Sequence, residues 1–230
     1  MAVQPSIGRL DAGSLLRAEY ILAGLAILSF ALVPVHITTI YSGLPAHPLF
    51  LHVPVILIPV ATIWALVLVA RPRWFLASGV LLGAVTVVAL AATFLTVGAG
   101  EALLNALHLN GGFGPAALVA RHAHAGMILR DLMILFTGAV IVALFAHRVA
   151  AGMTSGMTWL DTLAAHRAVL VLLRVALVAL AVLCAYFVFH TGDLGAKAVW
   201  QGRLSGGGFG GGGGGGGGPV QQLFGPSGGG

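Results

Sequence analysis

Between Phe75 and Val97 the chain reads FLASGVLLGAVTVVALAATFLTV, 23 residues without one charged side chain. A helix rises about 1.5 Å per residue, so about 20 such residues cross the hydrocarbon core of a bilayer. A buried strand is far shorter, about 4–8 residues. Four further runs have the same character: Tyr20–Ile40, Leu49–Ala70, Met127–Ala146 and Val169–Phe189. The whole chain of 230 residues is 59% hydrophobic and 7% charged, against about 25% charged in a soluble domain. These values exclude a water-soluble globule, and they exclude intrinsic disorder for the bulk of the chain. The fold class they predict is all-α, an integral membrane helical bundle of five transmembrane helices.

Charge supplies the orientation. Arg9, Arg17, Arg71, Arg73, Arg148 and Arg167 flank the spans on one side, and Arg121, Lys197 and Arg203 on the other. The positive-inside rule then predicts a cytoplasmic N-terminus and an outside C-terminus. The net charge of +5 reflects that orientation rather than nucleic-acid binding. The first run is too long for a signal-peptide core and lacks a small-residue cleavage site, so it reads as an uncleaved anchor. Tyr20, Tyr41 and Trp74 stand where aromatic belts sit.

Division of the chain follows. Residues 1–17 form a cytoplasmic segment, 18–41 the first span, 42–204 a four-helix membrane domain and 205–230 a tail. From Gly98 to Gly126 the chain is too polar to span. Glu101–His108 is expected as a short amphipathic helix, broken at Asn110-Gly111-Gly112, with Pro115 opening the next helix. Gly206–Gly230 holds 16 of the 34 glycines and is expected to be a flexible tail. The single cysteine, Cys184, forbids an intramolecular disulfide and any multi-cysteine metal site.

Histidines carry the main functional signal. On the predicted topology His36, His47, His52, His108, His122, His124 and His190 all fall at the outer face, joined by Glu101, Asp131 and Asp193. Only His147 and His166 lie on the cytoplasmic side. Ionisable groups within spans are costly and tend to face the bundle interior. Asp131 follows His124 by seven residues, which puts both on one helical face if that helix starts early. Arg130 points about 100° away from Asp131 and need not be its partner. Arg174 is read as snorkelling to the cytoplasmic interface.

Neutral imidazole ligates haem iron, copper and zinc. Haem b in a helical bundle is held by histidines from facing helices, and His52, His124 and His190 come from three different spans. His47, His52, His122 and His124 could equally form a copper or zinc site near the surface. Against each stands an ordinary role: His36 and His108 as interfacial residues, His47 at a helix N-terminus, the others as hydrogen-bonded structural histidines. Pro34, Pro54 and Pro59 read as kinks, and Gly79 with Gly83 as a close-packing pair. Metalloprotease, nucleophile-elbow, phosphate-loop and dinucleotide motifs are all missing from the sequence.

In order along the chain stand Gly-Leu-Pro-Ala-His47-Pro-Leu-Phe-Leu-His52-Val-Pro54, then Gly98-Ala-Gly100-Glu101, then His124, then His190-Thr-Gly-Asp-Leu-Gly195-Ala-Lys-Ala-Val-Trp200. The set resembles a bacterial family of four-helix membrane proteins catalogued as a domain of unknown function. That family is marked by an opening His-Pro-x-x-x-His-x-Pro and a C-terminal Gly-His-x-Gly-Ala-Lys segment. The resemblance covers about Ser42–Trp200 and leaves the first span and the glycine tail as additions. Related chains fused to Rieske or cytochrome c modules imply a redox setting by association, and the plan is also similar to cytochrome b561-type bundles. Asp193 stands where the family has histidine, which puts that position in doubt as a ligand; His190, a turn earlier, is the substitute. The resemblance carries over to His47, His52, Glu101, His124, His190 and Asp193.

Three functions are therefore open. The first is a haem b electron-transfer subunit between membrane quinone and an outer-face redox protein of Rieske or cytochrome c type, with Glu101 and Asp131 orienting ligands or handling protons. The second is a copper- or zinc-binding membrane protein. The third is a cofactor-free accessory subunit of a larger membrane complex.

Overall fold

The structure is a computed structural model, which describes residues 12–40, 43–106 and 115–200. The expectations for His108, Tyr41, the Asn110-Gly111-Gly112 break, Arg9, Arg203 and the glycine-rich tail lie outside the described residues. Among the described residues, seven α-helices carry the fold: α1 (Ala12–Leu28), α2 (Ala46–Phe50), α3 (His52–Ala70), α4 (Phe75–Ala106), α5 (Pro115–Ala150), α6 (Thr158–Ala164) and α7 (Arg167–Trp200). Five stretches of the described residues are long and apolar enough to cross a membrane: Gly13–Leu32, Ala46–Ala70, Pro72–Ala106, Ala116–Ala150 and Arg167–Trp200. The protein is thus an all-α bundle with the character of a multi-pass membrane protein.

Its outer surface supports that statement independently. Ile27, Ile63, Leu172 and Phe189 are exposed, at 73%, 63%, 68% and 71%, and they lie on three different helices, α1, α3 and α7. So broad an apolar surface fits lipid rather than water. Inside, α5 packs most extensively on α7 and then on α4, while α3 bridges α4 and α7. Ile58, Leu82, Leu90, Phe94, Met133 and Phe136 fill the space between them.

Helix ends differ from a pure hydropathy reading, for backbone reasons. The first helix begins at Ala12 and gives way to a 3-10 turn at Ser29–Leu32, before Pro34, which has no N–H with which to continue it. Residues 39–40 do not extend the span. They form β1 (Thr39–Ile40), antiparallel to β2 (Leu44–Pro45), with Gly43 at φ +76° in the connection. Pro54 cannot donate to the Phe50 carbonyl, and the helix is interrupted at Leu51, between α2 and α3.

The region from Gly98 to Gly126 is also more helical than expected. Glu101 is not on a separate short helix: α4 runs without a break through Gly98 and Gly100 to Ala106. Pro115 does open α5, and that helix continues through His122 and His124 to Ala150. Likewise α7 passes His190 and Asp193 to end at Trp200. Helical backbone satisfies its own polar groups, so a helix gains by continuing into the interface past the point where its side chains turn polar.

The glycine pair packs as expected. A Cβ on Gly79 would lie 2.6 Å from Leu144 Cδ2, and one on Gly83 2.8 Å from Leu22 Cδ1. These two glycines therefore admit α5 and α1 close to α4.

Candidate functional site

The histidine-rich end of the bundle is built from the start of α2, the end of α4, the start of α5 and the end of α7. His47 Nδ1 donates to the Thr96 carbonyl on α4 at 2.9 Å. His122 Nδ1 donates to the Thr191 carbonyl on α7 at 2.8 Å. A carbonyl only accepts, so each ring carries a proton on Nδ1. The two rings stand edge to face, 5.9 Å apart between centres and 84° between planes. Each lies against a glycine: a Cβ on Gly100 would come within 3.0 Å of His47 Nδ1, and one on Gly195 within 3.0 Å of His122 Cε1.

Two cavities open beside this pair. One, of about 360 Å³, is a groove between α5 and α7 lined by Arg121, His124, Ile128, Phe187, His190 and Leu194, with Ala120 and Ala125. His190 also stacks on Tyr186, one turn earlier, at 5.5 Å and 10°. The other, of about 240 Å³, is lined by Val33, Pro34, His36, Phe94, Val97, Gly98, Glu101 and Arg130. There His36 Nε2 and Glu101 Oε2 are 3.0 Å apart, and His36 Nδ1 meets the Pro34 carbonyl at 2.9 Å. The Pro34 carbonyl, with the Glu101 carboxylate second, raises the His36 pKa above its ordinary value.

The expected site residues thus separate into three groups. His47 and His122 form a pair, His124 and His190 share the groove, and Glu101 is bound to His36. His52 is exposed at the start of α3 and lines neither cavity. Asp131 is paired with Arg130 after all: that side chain folds back so that Nε and Nη2 both lie 2.9 Å from Asp131 Oδ1. Helical angles describe where Cβ points, and a long arginine stem overrides them. Asp193 is exposed and bonded to Lys197 Nζ at 2.7 Å, one turn on. Among the described residues, no three His, Cys, Asp or Glu side chains converge as a metal site.

A second polar centre at the opposite end was not legible. Glu19 on α1 and Arg148 on α5 form an ion pair of 2.6 Å, with side chains 4% and 2% exposed. Tyr20 donates its hydroxyl to the Ser155 carbonyl at 2.8 Å, tying α1 to the loop before α6. His147 stacks on Phe75 at 3.9 Å and donates Nδ1 to the Ala143 carbonyl. Its Nε2 and Arg174 Nε are buried without a hydrogen-bond partner among the described residues, so Arg174 packs inward at that atom rather than snorkelling freely. In the adjoining loop, Ser155 through its hydroxyl and N–H, and the Thr154 hydroxyl, hold the Asp161 carboxyl below its ordinary pKa. The available signal was Glu19 itself, a carboxylate beside an apolar run, whose burial a reading of that run alone does not reveal.

No protein-family model, curated protein or solved structure matches this chain.

Proposed function

We propose that the chain is an integral membrane electron-transfer subunit that takes haem b in the groove between α5 and α7, with His124 and His190 as the iron ligands. The observation that carries this reading is the shared lining: two imidazoles and one guanidinium in an otherwise apolar groove. That donor set fits the group. Imidazoles ligate the iron, Phe187, Ile128 and Leu194 suit a macrocycle, and Arg121 suits a propionate carboxylate. Haem would supply one-electron transfer; the chain's part would be to hold the group through His124, His190 and Arg121 and keep it at the bundle end. His52, outside the groove, has no role in this reading.

Orientation follows the arginine distribution, with the N-terminus inside and the groove facing an outer redox partner of Rieske or cytochrome c type; a bacterial inner membrane is what the resemblance of the Ser42–Trp200 motifs to the four-helix family implies. Membrane quinone is the proposed exchange partner on the lipid side.

The test is an optical spectrum of the detergent-purified chain, oxidised and then dithionite-reduced, after expression in a haem-replete host. A Soret band with resolved α and β bands on reduction is expected, lost in His124→Ala and in His190→Ala. A featureless spectrum removes the haem reading and leaves the cofactor-free accessory subunit, which requires co-purification of a stoichiometric neighbour.

A further inference from the structure

The end of the bundle opposite the groove holds a cation placed where lipid meets protein. Arg174 lies on α7 between two kinds of neighbour. Val171 and Val178, one turn to either side, are exposed at 49% and 37%, whereas Leu177 and Ala181 are buried. The guanidinium is therefore rooted on the seam between the lipid-facing and the inward-facing sides of α7. Its stem leans toward the start of the helix, and so toward the headgroup layer at that end. Nε of Arg174 is buried without a hydrogen-bond partner, and so is Nε2 of His147, a residue only 7% exposed. The Arg174 charge is felt at that ring, whose Nδ1 is occupied by the Ala143 carbonyl. Phe75, stacked on the same ring, directly follows the turn that carries Arg71 and Arg73, both exposed. In that turn the Arg71 guanidinium lies 5.7 Å over Trp74, a pairing that suits the membrane interface.

We propose that Arg174, with His147 beside it and Arg71 and Arg73 on the adjoining turn, binds the phosphate of an anionic phospholipid in the leaflet at that end. A guanidinium cannot shed its proton, so a half-buried arginine has to find counter-charge rather than neutralise itself. Arg130 and Arg148 find it in Asp131 and Glu19. Arg174 has open donors in a planar fork that matches a phosphate, and basic sites between helices are where anionic headgroups bind. A lipid fits better than a soluble anion because Leu172 and Val175, 68% and 62% exposed, offer acyl chains an apolar surface beside the cation.

The inference is independent of the haem reading, which uses the other end of the bundle. The test is native mass spectrometry of the full chain, purified in detergent and stripped of lipid, titrated with phosphatidylglycerol or with phosphatidylcholine of the same acyl chains. One phosphatidylglycerol should be retained per chain, roughly tenfold more tightly than phosphatidylcholine, whose own choline neutralises its phosphate. That preference should vanish in Arg174→Met and persist in Lys197→Met. Arg174→Met keeps the apolar volume and removes the charge, so without phospholipid it should resist thermal unfolding at least as well as the parent. Phosphatidylglycerol should raise the melting temperature of the parent, and inorganic phosphate should not. Equal retention of the two lipids overturns the proposal, as does a preference that survives Arg174→Met. Stabilisation by inorganic phosphate equal to that by the lipid overturns it too, as does an Arg174→Met chain that is less stable than the parent without lipid.

Discussion

Removing the Glu19 carboxylate should be among the most damaging single changes to this bundle. The pair joins α1 to α5 across 129 residues of sequence, at 2.6 Å, with both side chains almost wholly out of solvent. Glu19→Ala takes the Glu19 carboxylate away from the buried Arg148 guanidinium. Removing one partner of such a pair typically costs about 3–5 kcal/mol, most of it the penalty of the charge left behind. At about 1.4 kcal/mol per decade, that is two to nearly four decades in the folding equilibrium. An exposed pair would cost only about 0–1 kcal/mol, so the two cases are well separated.

The assay is reversible unfolding in mixed dodecyl sulfate micelles, read by near-ultraviolet dichroism. A second variant isolates the cause. Glu19→Leu with Arg148→Met removes both charges while keeping apolar volume, and should lie within ~1 kcal/mol of the parent, because desolvation is then no longer required of either group. Glu19→Ala costing less than ~1 kcal/mol would show that the pair is solvated and refute the reasoning. A double variant as unstable as the single one would show that packing, not uncompensated charge, sets the loss.

Two further predictions use the same measurements or a simple titration. A Cβ on Gly98 would run into the Val35 carbonyl, which is backbone and cannot rotate away, whereas Gly138 has nothing within 4 Å. Gly98→Ala should therefore destabilise by about 1–3 kcal/mol, as overpacking does, while Gly138→Ala should stabilise by up to about 1 kcal/mol through helix propensity; equal effects would defeat the packing account. The His36 resonance should titrate above its ordinary value of 6.5 and move down in Glu101→Gln. A raised folded value means that the contact stabilises fully below about 6.5 and is lost as pH rises through the folded pKa. Hydrogen exchange in residues 35–40 should accordingly speed up above that value, and a midpoint at or below 6.5 would contradict the geometry.

What the sequence makes legible is whatever depends on one helix at a time. Transfer free energy is additive along a span, so five apolar runs are visible without any neighbour, and Pro115 marks a helix start through its own fixed φ. Helix ends are less legible, because the backbone keeps bonding after hydropathy fades: His122 and His190 read as loop or terminal residues and are helical. Pairings between helices are illegible. Nothing in the surroundings of Glu19 names Arg148, and nothing in the His-Pro-x-x-x-His pattern tells that His47, and not His52, turns inward to meet His122.

The glycines explain why the division falls there. His47 and His52 are five residues apart, and helical geometry puts them more than 100° apart around the axis, so one bundle cannot bury both on the same neighbour. The side that wins is the one that faces a residue without a side chain, Gly100 on α4, from which His47 reaches the Thr96 carbonyl one turn below. The same device recurs at Gly195 and Thr191 for His122 on α7. In each case a glycine and a carbonyl four residues before it, on one turn of a neighbouring helix, receive one imidazole. Spacing alone could have suggested this: Thr96-x-x-x-Gly100 and Thr191-x-x-x-Gly195 are the same five-residue pattern at the same end of the bundle. Two unrelated helices carrying the same ring-sized notch, each filled by a histidine, is an arrangement that fixes imidazole tautomers, which space-filling side chains would not require.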